Sequence, residues 1–207
     1  FARIAAHTPG VRLAGVMGWE GHTLGIEPIE DKRDAIKTAV GLLTDTAERC
    51  RAAGLPIDIV SCGGTGSYWI TARHHGVTEI QAGGGVLGDA MYLQRFGVDH
   101  ECALRIAATV TSRPTSQRVI CDAGRKTMSV EPTSPQVQGL EVTGASFSAE
   151  HGTLRLVDPS PKPGVGDRLE FIAGYSDTTV FLHDTIYAVR NGVVESVWPL
   201  LGRGRLT

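Results

Sequence analysis

The chain has 207 residues, 42% hydrophobic and 20% charged, with 20 Lys and Arg against 22 Asp and Glu for a formal net charge of -2. That balance belongs to a globular protein with a real core rather than to a fibre or a disordered tail. The basic residues are scattered, which excludes nucleic acid as a partner, and no apolar run reaches the roughly 20 residues of a membrane helix, which excludes a span.

Four cysteines, Cys50, Cys62, Cys102 and Cys121, stand far apart without a CxxC pair. This argues against a zinc ribbon or a disulfide framework and for buried thiols in a reduced, cytoplasmic setting. The chain opens at Phe1 with no initiator Met, basic leader or apolar signal region, and its first ten residues read as the tail of a helix, as if it began inside a domain. Arg12 to Met17 is a short apolar stretch. Ile36, Val40, Leu43, Ala47 and Cys50 recur at three- and four-residue spacing and predict a helix with one buried stripe, closed by Gly54. Lys32 and Lys37, at its polar start, read as solvated. Ile57 to Ser61 is a β-branched run suited to a covered parallel strand, and it opens into Cys62-Gly63-Gly64-Thr65-Gly66. Thr78 to Gln81 predicts a second short strand, leading to Gly83-Gly84-Gly85 and a helix over Asp89 to Phe96. Strand, glycine-rich loop and helix in alternation suit a parallel barrel or a doubly wound sheet, with the loops at the strands' carboxyl ends.

Helical periodicity disappears near Glu101, so the reading divides the chain into residues 1–103, α/β, and 104–207, a mainly antiparallel β-domain. The predicted strands of the second part are Leu104 to Thr111, Arg118 to Asp122, Leu140 to Ser148, Thr153 to Val157, Arg168 to Ile172, Thr179 to Arg190 and Val193 to Pro199. Asn191-Gly192 marks a hairpin, because both turn positions need positive φ. Pro159 to Gly166 is a loop.

Two features carry chemistry. Ser61-Cys62-Gly63-Gly64-Thr65-Gly66-Ser67 offers bare backbone amides and hydroxyls to a phosphate, and Gln81-Ala82-Gly83-Gly84-Gly85 follows the next strand. In a barrel the two would be neighbours at one rim, where the loops of the last two strands bind phosphates. A glycine-rich turn also needs no ligand, so the plain-turn alternative stands beside this one. His74, His75 and His100 read as surface loop histidines.

Gly18-Trp19-Glu20-Gly21-His22, Gly63-Gly64-Thr65-Gly66, Thr78-Glu79-Ile80-Gln81-Ala82-Gly83 and Asp122-Ala123-Gly124 occur in an order and spacing that resemble the alanine-racemase-like, fold-type III pyridoxal-phosphate enzymes, in their D-threonine aldolase and D-serine dehydratase branch. The similarity continues through Glu150-His151-Gly152, Gly166-Asp167 and Asp177 to Asp184. The resemblance implies the second half of a (β/α)8 TIM-type barrel followed by an antiparallel β-domain, in a homodimer, with pyridoxal 5'-phosphate at the barrel mouth. It implies that Gly64, Thr65 and Gly66, with Gly83 and Gly84, grip the phosphate, that His22 lies against the cofactor ring, and that Gln81 faces the pyridine nitrogen. A neutral amide cannot hold that nitrogen protonated as a carboxylate would. The alternative for His22 is a core or capping histidine.

The same resemblance implies a divalent metal, Mn, Mg or Zn, held by a His and, two residues on, a Cys or Asp. The matching residues here are Tyr175-Ser176-Asp177, so Asp177 keeps an oxygen ligand suited to a hard cation while Tyr175 departs from the pattern. Either His183 or His151 replaces the missing imidazole, or the site is weakened or lost. Tyr175 is then an acid/base candidate, with a packed aromatic as the alternative. Gly85 stands where the family has Tyr. The lysine that forms the family's aldimine lies on the first barrel strand, which would precede Phe1; of Lys32, Lys37, Lys126 and Lys162, only Lys126 is near a motif. The expected activity is lyase chemistry on D-3-hydroxy amino acids, aldolase-like Cα–Cβ cleavage. Alternatives are D-serine or 3-hydroxyaspartate dehydration, racemisation, or a chain that is non-catalytic by itself.

Overall fold

Residues 1–205 are described by a computed structural model, and they fall into two units: Phe1–Val86 with Arg95–Val98, and Leu87–Gln94 with Asp99 onward. The first contains α1 (Ala2–His7), β1 (Gly15–Met17), α2 (Ile29–Ala52), β2 (Ile59–Cys62), α3 (Tyr68–Thr71) and β3 (Glu79–Ile80), with 3-10 turns at Gly21–Thr23 and Gly83–Val86. The three strands are parallel in the order β1-β2-β3, with Val16 opposite Val60 and Cys62 opposite Ile80. Gly15 is required at the first pairing: a Cβ there would lie 2.0 Å from the Ile59 carbonyl oxygen.

The predicted stripe of α2 covers this sheet. Ile36 and Val40 pack with Cys62, and Ala47 packs with Ile57 and Val60. Burying each of the larger side chains contributes about 1.5–3 kcal/mol. Gly54, at φ 75°, ends the helix in a Schellman motif: its N–H reaches Arg51 O, and Leu55 N–H reaches Cys50 O.

One reading of this helix is corrected. Lys32 is buried, not solvated: it is 3% exposed, its Nζ donates to Phe96 O at 3.1 Å and lies 5.4 Å from the centre of the Trp69 ring. Burial lowers its pKa. Lys32 precedes Ile36 by four residues, so it belongs to the buried stripe by the same spacing that identified the helix.

The second unit contains α4 (Ala90–Arg95), β4 (Ile106–Thr115), β5 (Arg118–Cys121), β6 (Gln136–Val137), β7 (Val142–Phe147), β8 (Gly152–Leu156), β9 (Arg168–Ile172), α5 (Asp177–Val180), β10 (Thr185–Arg190) and β11 (Val193–Pro199). Six strands form an antiparallel sheet in the order β6-β9-β4-β5-β8-β7. β4 is shared: Ile106 to Thr109 pair with β9, Val110 to Thr115 with β5 through shifts in register, and the sheet curls there. Its core is Phe171, Met128, Leu154, Val110 and Val119, in contact with Cys121 and Ala123.

The predicted strand from Thr179 is also corrected, since α5 occupies its start and only Thr185–Arg190 is extended. Thr179 is fully buried; its Oγ1 donates to Tyr175 O, four residues back, and accepts Ser129 N–H. That local bond is available to a helical turn and not to a strand. Asn191 and Gly192 have φ 50° and 76° and close the β10–β11 hairpin as predicted. No helix among the described residues is long and apolar enough to cross a membrane.

Candidate functional site

β2 ends at Cys62, and the chain turns through Gly63 at φ 78°. Gly64 and Gly66 leave no room for side chains: a Cβ on Gly64 would sit 2.6 Å from Trp19 Nε1, and one on Gly66 2.8 Å from Leu24 Cδ2. The second glycine turn is joined to the first. Gly85 N–H donates to Thr65 Oγ1 at 2.9 Å, and Gln81 N–H to Gly63 O at 2.8 Å. Thr65 is buried with its oxygen accepting from Gly85, so its own proton is left for an acceptor beyond the turn.

Ser67 differs. Its hydroxyl donates to Glu20 Oε1 at 2.6 Å while accepting Gly64 N–H at 3.2 Å. Of the hydroxyls the sequence offered to an anion, Ser67 is therefore turned inward. Glu20 is the residue that sequence reasoning missed. It is buried and also accepts from Thr71 Oγ1 at 2.5 Å and Gly63 N–H at 3.2 Å. Its only signal was its place inside Gly18-Trp19-Glu20-Gly21-His22.

His22 is exposed on the 3-10 turn that follows Glu20, and with Gly18, Trp19, Leu43 and Cys62 it lines a cavity of about 430 Å3. Gln81 donates through Nε2 to Ser61 Oγ at 2.6 Å, and Ser61 donates to Glu79 Oε1 at 2.5 Å. Because a carboxylate only accepts, the Ser61 proton is committed to Glu79 and Ser61 can only accept from Gln81. The Cys62 thiol beneath is pushed up to about 11 by burial and then by the Glu20 charge. His22, Gly64, Thr65, Gly66, Gln81, Gly83 and Gly84 thus all belong to the first unit.

Tyr175 and Asp177 belong to the second unit. Tyr175 Oη donates to Asp177 Oδ2 at 2.7 Å, and burial together with that bond holds the phenol well above its usual pKa. The turn between them is clamped by Asp89, fully buried, whose Oδ2 accepts Ser176 N–H at 2.8 Å and Ser176 Oγ at 2.9 Å while Oδ1 accepts Tyr92 N–H at 2.9 Å. His183 Nε2 donates to Thr127 O at 2.7 Å, and His151 is exposed. Among the described residues no three His, Cys, Asp or Glu side chains converge as a metal site. What Tyr175 and Asp177 offer is an oxygen pair able to hold a proton or one side of a hard cation. Lys126 is paired with Glu150 at 2.5 Å, which keeps it an ammonium; Lys37 and Lys162 are paired with Asp34 and Asp167.

The family described as "Putative serine dehydratase domain" matches residues 103–189. The chain is 32% identical over 211 residues to a D-threonine aldolase of Arthrobacter sp, covering 98% of this chain and 55% of that protein. The fold matches the crystal structure of D-threonine aldolase from Filomicrobium marinum with a TM-score of 0.90 and 26% identity, over 100% of this chain and 58% of that one. It also matches D-threo-3-hydroxyaspartate dehydratase from Delftia sp. HT23 with a TM-score of 0.77 and 27% identity, over 92% and 56%. The chain spans a little over half the length of each of these proteins. The fold also matches an alanine-racemase-like protein from Idiomarina loihiensis with a TM-score of 0.71 and 20% identity, over 96% of this chain and 59% of that one, so the parallel β/α unit and the curled antiparallel sheet are those of the alanine-racemase-like fold.

Proposed function

Because the chain belongs to the D-threonine aldolase and D-serine dehydratase branch of the alanine-racemase-like enzymes, we propose that the protein is a pyridoxal-phosphate-dependent lyase that cleaves the Cα–Cβ bond of D-3-hydroxy amino acids. The observation that carries the reading is the pairing of two glycine turns at the ends of adjacent parallel strands, joined by Gly85 N–H to Thr65 Oγ1. The donor set suits a phosphate: a turn with no room for side chains at Gly64 and Gly66, and a buried threonine with a proton to give.

In this reading Gly64, Thr65, Gly66, Gly83 and Gly84 bind the phosphate, His22 lies against the ring, and Gln81 meets the pyridine nitrogen as a neutral amide. Pyridoxal phosphate, when bound, supplies the sink for the electron pair released on bond cleavage. Asp177 is the acceptor for the substrate's β-hydroxyl proton, or the carboxylate that shares a divalent cation with that hydroxyl. Tyr175, held neutral by burial and by Asp177, acts as a proton donor at Oη and not as a base near neutral pH. The four free thiols support a reducing, cytoplasmic setting, and the exposed apolar β10–β11 hairpin supports a homodimer.

Incubating the intact protein with D-threonine, D-serine and 3-hydroxy-D-aspartate while assaying aldehyde, glycine, 2-oxo acid and ammonia tests the reaction. Aldehyde and glycine are expected from D-threonine. A 2-oxo acid and ammonia without glycine, pyruvate from D-serine or oxaloacetate from 3-hydroxyaspartate, would replace the aldolase with a dehydratase, the activity that the Delftia protein's name gives. One observation favours a chain that is non-catalytic by itself: Lys37, Lys126 and Lys162 are ion-paired and Lys32 is bonded to Phe96 O. Borohydride reduction of the isolated chain with pyridoxal phosphate should label no single lysine stoichiometrically; labelling at Lys126 would overturn that reading.

A further inference from the structure

Glu20 is 3% exposed and meets three donors: Gly63 N–H at Oε2, and the Ser67 and Thr71 hydroxyls at Oε1. A buried carboxylate persists only when hydrogen bonds replace its hydration. An ionised carboxylate accepts and never donates, so it dictates the direction of every hydroxyl that touches it. Ser67 must give its proton to Glu20, and its lone pair is then what takes Gly64 N–H. Two amides of the turn, Gly63 and Gly64, are drawn inward by this arrangement, while those of Thr65 and Gly66 lie outside it. The same segment packs on the turn, with Trp19 against Gly64 and Leu24 against Gly66. Thr23 returns both its N–H, at 2.9 Å, and its hydroxyl, at 2.7 Å, to the Glu20 carbonyl, which closes the 3-10 turn bearing His22.

We propose that Glu20 is a positioning residue that sets the donor pattern of the Gly63–Gly66 turn and locks it to the turn carrying His22. The proposal rests on the reading of the glycine turn as a phosphate site. Its consequence is that affinity for the phosphate, more than for the ring, depends on a carboxylate that touches neither. Glutamine does not preserve this pattern. With its amide nitrogen in the Oε2 place it would face Gly63 N–H donor to donor. In the Oε1 place it would donate to the Ser67 and Thr71 hydroxyls and reverse both, so that Ser67 Oγ accepts from the amide as well as from Gly64 and its proton is no longer held by residue 20.

The test is made on the intact protein with Glu20→Gln, Glu20→Ala and Ser67→Ala, measuring Kd for pyridoxal phosphate and for pyridoxal, and the 31P resonance of the bound phosphate. Hydrogen bonds to a charged group are strong enough that their loss should weaken pyridoxal phosphate binding about tenfold or more in Glu20→Ala, and by less in Glu20→Gln, which reverses the hydroxyls without emptying the site. Pyridoxal binding should change less than about threefold by comparison, since it lacks the group the turn would hold. The 31P line should shift or broaden, and Ser67→Ala should give a smaller loss in the same direction.

Equal losses for both ligands, or a folded Glu20→Gln with an unchanged ratio and 31P line, would overturn the proposal. If the Glu20 variants do not fold, Ser67→Ala decides: an unaltered ratio overturns it and a several-fold loss supports it. Should the unmodified protein bind pyridoxal phosphate no better than pyridoxal, with no competition from inorganic phosphate, the phosphate reading itself fails and takes the proposal with it.

Discussion

At the scale of single residues, the glycines of the two turns are not equivalent. A methyl group on Gly64 would meet Trp19 Nε1 at 2.6 Å, whereas one on Gly83 meets nothing within 4 Å. Gly64→Ala is therefore expected to weaken pyridoxal phosphate binding by about 1.4 kcal/mol or more, tenfold in Kd, while Gly83→Ala stays within about threefold, because it keeps the amide and fills empty space. Fluorescence titration of the two variants checks the contrast, and equal losses would contradict it. The Cys62 thiol makes a second prediction. Its folded pKa is raised, to about 11, above its ordinary value of 9.0, so the neutral thiol is the form the fold prefers. Its contribution is fully present below pH 9 and lost as pH rises through 11, on the order of 2–3 kcal/mol. Denaturant midpoints measured from pH 8 to 11 should fall, and Cys62→Ala should flatten the fall. Glu20 shows what residue type alone could not reveal: a carboxylate in a glycine-rich motif is expected at the surface until three donors are seen around it.

At the scale of elements, the apolar spacing in α2 and the Asn191-Gly192 turn were sufficient to find their structures, because both depend on local geometry. The segment from Thr179 was not read correctly, since its β-branched residues favour a strand while Thr179 Oγ1 is committed to Tyr175 O and to Ser129 N–H. The turn that holds Tyr175 and Asp177 depends on Asp89, 87 residues away in sequence from Ser176. Asp89→Ala removes the acceptor for three donors in a fully buried position, and a loss of about 2–4 kcal/mol in unfolding free energy is expected. Calorimetry or denaturant titration measures it; a loss below about 0.5 kcal/mol, the size of an ordinary surface substitution, would contradict the clamp.

At the scale of the whole molecule, Tyr187, Val189, Val194 and Val197 on the β10–β11 hairpin are each more than half exposed. A two-stranded hairpin with an uncovered apolar face is marginal by itself in water and invites association. The isolated chain is expected to self-associate at micromolar concentration, and Val189→Lys with Val197→Lys should return it toward monomer in sedimentation velocity. A chain that is already monomeric at high concentration would remove this support for a homodimer.

The sequence by itself determined the α/β beginning, the antiparallel β-rich remainder and the two glycine turns, because periodicity, β-branched runs and positive-φ positions are properties of neighbouring residues. It also carried the family resemblance, since the motifs survive as ordered strings. Only the tertiary structure decided which polar groups face inward. Lys32 fell on the buried stripe, Ser67 gave its proton to Glu20, and Asp89 closed the turn at Ser176. Each of these depends on a partner at least 47 residues away, and no local pattern records that distance. The glycine turn with which the chain's chemistry begins is therefore legible as a string, whereas its donor pattern is a property of the fold.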